Sequence, residues 1–333
     1  MELTILVLEY LDTPDVRGFA LCSRACNEIA ETRLWCTFAI CSHGKTAASR
    51  AIKRCQTILR NRSRARRILK LIVGPCTWTW TPALIQHISC VWHVVSRLKM
   101  LLLKMPTMEH TDSARGGEFA PLLRSLVQSG THLRLEVFKY EGWLIPDSYL
   151  HRFLMTQTGL RQLIGVDMFP TRLVDCPKAF LPSLRLLVCE RPEIAIRLTP
   201  GRPISARQID AIREEKDLLA ISMALGKCPG PLEDIRLYVY GHGVSFAECL
   251  QALKSCLTGT KTLRVWGAEP QEDDINLLCD LHSLETIHLE LGARWDPEHL
   301  SLWPSRMSPS INTIVVSRTL HTIMYQRCGE SKY

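Results

Sequence analysis

Apolar residues at Leu3, Leu6, Val7, Tyr10 and Leu11 recur at the spacing of one helical face, while Ile5 and Leu8 make the opposite side apolar as well. Asp12-Thr13-Pro14-Asp15 reads as a stop and a restart, with Asp12 or Thr13 as N-cap and Pro14 at the first helical position. The helix that follows buries Val16, Phe19 and Ala20. Ser23 caps a third helix that turns Cys26, Ile29 and Ala30 inward, and the segment closes on Leu34, Trp35 and Phe38. Three short helices in about forty residues bury too little surface to stand firmly alone. Their surplus apolar face predicts packing against another chain or the following domain.

Beyond this segment the period changes. Apolar residues at the first, fourth and sixth positions of a short unit recur about every 27 residues. The starts fall near Arg66, Leu98, Gly130, Leu160, Leu184, Ile204, Leu232, Thr260, Leu284 and Ile311. The clearest units are Leu98-Leu101-Leu103, Leu232-Ile235-Leu237, Thr260-Leu263-Val265, Leu284-Ile287-Leu289 and Ile311-Ile314-Val316; those at Leu160 and Ile204 are poor. Helix-like segments at 117–129, 146–158, 212–225, 245–257 and 270–281 lie between them. Pro270 ahead of Glu272, Asp273 and Asp274 marks a helix start, and Gly226 marks a helix end. A strand-helix unit cannot bury its apolar face alone, so such units stack, and their parallel strands line a surface suited to a protein partner. A doubly wound sheet would need longer Val/Ile runs and a glycine-rich turn after a strand, and neither is present.

Composition changes this picture little. With 46% hydrophobic and 22% charged residues, the 333-residue chain holds enough apolar material for a sizeable core. Charge is more informative, because the net +8 is unevenly spread. From Thr32 to Met108 there are 14 Lys or Arg, and all 33 acidic residues lie outside that segment. Arg60, Arg62, Arg64, Arg66, Arg67 and Lys70 are its densest part and a candidate basic patch for nucleic acid, with Trp78, Trp80 and Trp92 nearby for stacking. The preferred alternative is an amphipathic helix with Arg50, Lys53 and Arg54 in solvent and Ala48, Ile52, Cys55 and Leu59 inward.

The 14 cysteines sit mostly in apolar stretches, at Cys22, Cys26, Cys90, Cys189, Cys249 and Cys256, and read as reduced, buried thiols. The start lacks a basic n-region, and the apolar stretch 84–103 is broken by Gln86, His87, His93, Arg97 and Lys99. A soluble intracellular protein, cytoplasmic or nuclear and without membrane contact, is therefore expected. Gly44-Lys45-Thr46 lacks the earlier glycine of a phosphate loop, since position 39 is Ala39. Cys36, Cys41 and His43, like Cys90 and His93, lack a second ligand pair at zinc spacing. No catalytic residue, metal or cofactor is expected.

Glu2-Leu3, Val7-Leu8, Tyr10-Leu11-Asp12, Asp15-Val16, Leu21, Arg24 and Leu34-Trp35 resemble the F-box motif in order and spacing. The chain departs from the family where Val-Cys-Arg is common and Cys22-Ser23-Arg24 stands instead. The resemblance implies a three-helix module whose apolar face binds the Skp-type adaptor of a cullin–RING ubiquitin ligase. Leu3, Val7, Leu8, Leu11, Pro14, Val16, Leu21, Cys22 and Trp35 would form or support that face. The repeats, including residues 184–209, resemble those of F-box and leucine-rich-repeat proteins abundant in fungi. The expected architecture is thus of mixed α+β and α/β class: a three-helix F-box at 1–41, a linker helix at 42–65, an irregular leucine-rich-repeat solenoid of alternating strands and helices at 66–318, and a tail at 319–333. The implied role is that of a non-enzymatic substrate receptor holding an unknown protein. A repeat scaffold without ligase role and an RNA binder acting through the basic segment are the alternatives.

Overall fold

The computed structural model describes residues 11–41, 46–74, 81–104, 120–129, 132–141, 147–165, 180–189, 191–240, 243–290, 309–318 and 321–326. The expected first helix, with Leu3, Val7 and Leu8, lies outside them. The described residues form two compact units that meet in sequence between Leu160 and Arg161.

The first unit opens with α1 (Thr13–Ala20) and α2 (Arg24–Cys36). Their boundaries follow from local chemistry. The Asp12 carboxylate accepts from Asp15 N at 3.1 Å with Pro14 in the first turn, and the Ser23 hydroxyl accepts from Cys26 N at 3.0 Å. Then come β1 (Thr37–Ile40), α3 (Ala47–Arg60), α4 (Arg62–Ala65), β2 (Lys70–Val73), α5 (Pro82–Val94), β3 (Met100–Lys104), α6 (Ala120–Ser129), β4 (Val137–Glu141) and α7 (Asp147–Met155). The four strands pair in parallel in chain order, with Thr37 opposite Lys70, Lys70 opposite Met100, and Met100 opposite Val137. Helices return the chain between parallel strands. One layer of them covers the inward side, with α3 against α5, α5 against α6, and α6 against α7. Ile40, Leu71, Val73, Leu101, Leu103, Phe138 and Tyr140 meet Ala51, Cys55, Ile58, Ile88, Val91 and Trp92 in that interior. Gly74, at φ +116°, ends β2 where an added Cβ would run into the Lys104 carbonyl oxygen.

The second unit runs through β5 (Gln162–Ile164), β6 (Leu186–Cys189), α8 (Pro192–Leu198), β7 (Ala206–Ile212), α9 (Glu215–Leu225), β8 (Asp234–Val239), α10 (Phe246–Leu253), β9 (Thr262–Trp266), α11 (Ile275–Cys279), β10 (Thr286–Glu290), β11 (Thr313–Arg318) and β12 (His321–Gln326). Strands β5 to β11 are parallel and again in chain order, while β12 turns back antiparallel on β11. Gly226 caps α9, and Ser245 with Glu248 forms a reciprocal capping box on α10. The pairing of β7 with β8 shifts register between Ile209 and Ile212.

Parallel strands thus alternate with helices in both units, a mixed α/β arrangement compatible with a solenoid-like repeat. The first, fourth and sixth positions of the five clearest repeats are buried throughout. Two expected starts move. Arg66 is exposed at the end of α4, and the buried set is Ile68-Leu71-Val73; at Gly130 it is Leu135-Phe138-Tyr140. In the latter, Leu133 and Leu135 mimic the motif because they are buried in the turn that feeds β4. The weak units at Leu160 and Ile204 do form strands. Strand pairing begins at Thr37, ahead of the expected 66, and β12 adds residues 321–326 to the sheet. On α3 the buried stripe is Ala47, Ala51, Cys55 and Ile58, so Ala48, Ile52 and Leu59 are only half-buried. Among the cysteines expected in the interior, Cys189 and Cys249 are buried, whereas Cys22 and Cys90 are exposed.

Candidate protein-interaction surfaces

Among the described residues, the α1–α2 pair has a very small interior. Val16 and Ala30 are fully buried, with Leu11, Phe19, Ala20, Ile29 and Leu34 partly packed around them. Of the motif residues, Leu11, Val16 and Trp35 turn inward to differing degrees, while Pro14, Leu21 and Cys22 are exposed. Leu21, the C-cap of α1, is 88% exposed. Trp35 stacks on Phe38 at 5.6 Å between ring centroids, and the Arg64 guanidinium lies 4.8 Å above its ring.

The basic segment does not present its six residues together. Arg64 and Arg67 both reach Glu31 on α2, at 2.7 and 3.0 Å. Glu31 stands one residue before the acid-free stretch and supplies the anion that stretch lacks. These two arginines hold α2 to the strand–helix layer, leaving Arg60, Arg62 and Arg66 exposed and Lys70 half-buried in β2.

A second surface lies on the side of β8 to β11 that faces away from the helices. Because side chains alternate along a strand, each strand sends its first, third and fifth residues to this side. Register then aligns them into three rows across the strands. Asp234, Thr262, Thr286 and Thr313 form one; Arg236, Arg264, His288 and Val315 the next; Tyr238, Trp266, Glu290 and Ser317 the last. Arg236 grips Asp234, with Nη2 2.6 Å and Nε 3.1 Å from Oδ2, and this bond raises the Arg236 pKa further. The Arg264 Nε lies 4.0 Å from Asp234 Oδ1 and, although buried, makes no hydrogen bond. The Tyr238 and Trp266 rings are parallel within 2° at 4.1 Å, and the Trp266 indole donates to Glu290. Nε2 of His288 is 2.9 Å from Ser317 Oγ.

The sequence reading did not single out Arg236, Arg264, His288 or the two aromatics. Their signal was present as polar or aromatic residues at alternate positions between apolar ones in 234–239, 262–266 and 286–290.

Burial lowers the His288 pKa, and Arg264 and Arg236 lower it further against the opposing pull of Glu290. Protonating this imidazole therefore costs more in the folded protein than in the unfolded one. In the window just below the ordinary imidazole value near 6.5, the unfolded chain binds more protons, so stability falls as pH falls. His288→Gln is expected to flatten part of that slope in denaturant titrations between about pH 5 and 7. An unchanged slope would place the pH sensitivity elsewhere, for instance at His151, which burial shifts the same way.

Two arginines occupy the interior of the second unit. Arg202 is 1% exposed and donates to the carbonyls of Phe180 and Pro200 at 2.8 and 3.2 Å. Arg207, also 1% exposed, stands at the fourth position of its repeat and donates through Nη2 to the Ala195 carbonyl at 3.2 Å. Its Nε and Nη1 are buried without a hydrogen-bond partner.

Among the described residues, no group of three or more His, Cys, Asp or Glu is placed to hold a metal, and no helix is long and apolar enough to cross a membrane. The chain matches no protein-family model and no curated protein sequence.

Proposed function

We propose that the protein is a non-catalytic substrate receptor of a cullin ubiquitin ligase. In this reading its N-terminal helices dock onto a Skp-type adaptor, and the open strand faces of its repeats hold the protein to be modified. The observation that carries the first half is the exposure of Leu21 beside a helical pair with two fully buried residues. Leu21 stands in water together with Pro14 and Cys22 of the same motif, which leaves these motif residues available to a partner surface. The motif resemblance names that partner's chemistry. The second half rests on parallel strands whose polar and aromatic rows are open, a surface repeat proteins use for binding. Such a receptor contributes proximity: tethering raises the effective concentration of substrate beside the loaded enzyme, and no side chain of this chain takes part in bond making.

Leu21 provides a clean test because it is already exposed, so a charge there leaves the fold intact. Leu21→Asp in the full chain is expected to weaken capture by a purified Skp-type adaptor about tenfold or more, through an unpaired carboxylate buried at the contact. Circular dichroism should be unchanged. Failure of the folded wild-type chain to bind the adaptor at micromolar concentrations would end the ligase reading and leave a repeat scaffold. Engagement of Arg64 and Arg67 by Glu31 weighs against the nucleic-acid alternative.

A further inference from the structure

We infer that the open face of β8, β9 and β10 binds an acidic segment of a protein partner, and that Arg264 is the group that takes its carboxylate. The inference rests on the receptor reading for its biological setting, but its chemistry stands on the face itself.

Charge is the first argument. The face carries two guanidiniums against two carboxylates, with the His288 imidazole biased toward its neutral form by burial. Asp234 is gripped by Arg236 through three contacts between 2.6 and 3.4 Å. Glu290 is engaged by the indole of Trp266. Among the described residues, Arg264, in the middle of the row, has only the 4.0 Å approach to Asp234 and a buried Nε with no hydrogen bond. It is therefore the least compensated cation of the row. A partly dehydrated guanidinium with unmet donors is best matched by a planar carboxylate, which accepts two of its N–H groups at once.

The surroundings suit a polypeptide. Adjacent strands stand about 4.8 Å apart, so the row of Arg236, Arg264 and His288 spans a short extended segment. Beside Arg264, the Tyr238–Trp266 pair offers a rigid apolar edge. Beyond the end of β8, Tyr240 is 57% exposed and extends that edge. Arginine flanked by anchored aromatics is the composition from which strong protein contacts are built. A nucleic-acid strand fits less well. Tyr238 and Trp266 already stack on each other, which closes their inner faces to bases.

The test uses the full chain and fluorescence anisotropy with three labelled probes: a twelve-residue repeat of Gly-Glu-Ser, the same peptide with Gln for Glu, and a twelve-nucleotide oligothymidylate. The Glu peptide is expected to bind about tenfold or more tighter than the Gln peptide. Arg264→Gln should erase that preference, while Arg97→Gln, an equal loss of charge at an exposed position in the other unit, should preserve it. Equal binding of the two peptides, no binding of either, tighter binding of the oligonucleotide, or an Arg264→Gln protein that keeps the preference would each overturn the inference. Leu21→Asp should not affect peptide binding, and Arg264→Gln should not affect adaptor capture. Failure of one reading is thereby distinguished from failure of the other.

Discussion

Replacing Arg207 by methionine is expected to raise the unfolding free energy of the second unit by up to about 3 kcal/mol. The fourth position of the repeat is Leu71, Leu101, Phe138, Leu163, Leu187, Ile235, Leu263, Ile287 or Ile314 elsewhere, all in the interior. At Arg207 the same position holds a cation, and burial pushes its pKa down to about 10. A base whose folded value lies below its unfolded value is penalised wherever it is protonated. At neutral pH that penalty is fully present, roughly 3 kcal/mol at about 1.4 kcal/mol per unit of depression. Methionine, unbranched and shorter by the end of the guanidinium, fills most of the space without the charge. Against the gain stands the loss of the Nη2 bond to Ala195 O near the C-terminal end of α8, a favourable place for a cation that contributes under about 1 kcal/mol. A urea midpoint that rises with an unchanged slope would confirm the balance. A midpoint that falls would show that the Ala195 bond outweighs the buried charge.

The opposite result is expected at Trp92. This indole is completely buried between α5 and its neighbours and donates to Ser125 Oγ at 3.3 Å; Ser125 in turn donates to Leu122 O at 2.8 Å. Trp92→Ala removes the largest buried side chain of the first unit, and the α5–α6 seam closes over the void only in part. The expected cost is about 3–5 kcal/mol, read as a melting temperature lower by roughly 10 °C. Trp92→Phe should lose much less, since it keeps most of the volume and gives up one hydrogen bond. If the alanine variant melted within a degree or two of the wild type, α5 would have to be loosely held, contrary to its contacts with α3 and α6.

The strands of both units were legible because their signal is local. An apolar residue at the fourth and sixth positions appears in any window around β3, β8, β9, β10 and β11, with a polar one between them in β8, β9 and β10. The caps at Asp12, Ser23 and Gly226 were readable for the same reason. Registers near Arg66 and Gly130 were misread because Leu69, Leu133 and Leu135 supply apolar residues at the right spacing but belong to turns, a distinction that depends on what packs over them. Strand β1 escaped notice because Phe38 and Ile40 follow a helix directly and resemble its last apolar turn. Strand β12 lacks the repeat pattern, being paired in the other direction. The clasp of Glu31 on Arg64 and Arg67 spans more than thirty residues, and no periodicity reports a pairing at that distance. The open-face rows were present as alternation, but only the register of β8, β9 and β10 shows that Arg236, Arg264 and His288 stand side by side.

Within each unit, every described strand pairs with the strands next to it in sequence, and among the described residues no distant segment enters the sheet. The chain is in this sense written in the same order as the sheet, so a cut from one strand to the equivalent point of the next removes one paragraph and leaves the grammar of the others intact. Duplication or loss of one strand-helix segment therefore shortens or lengthens the array without rethreading it. Inheritance could vary the number of rows on the open face while leaving the way each row is made unchanged.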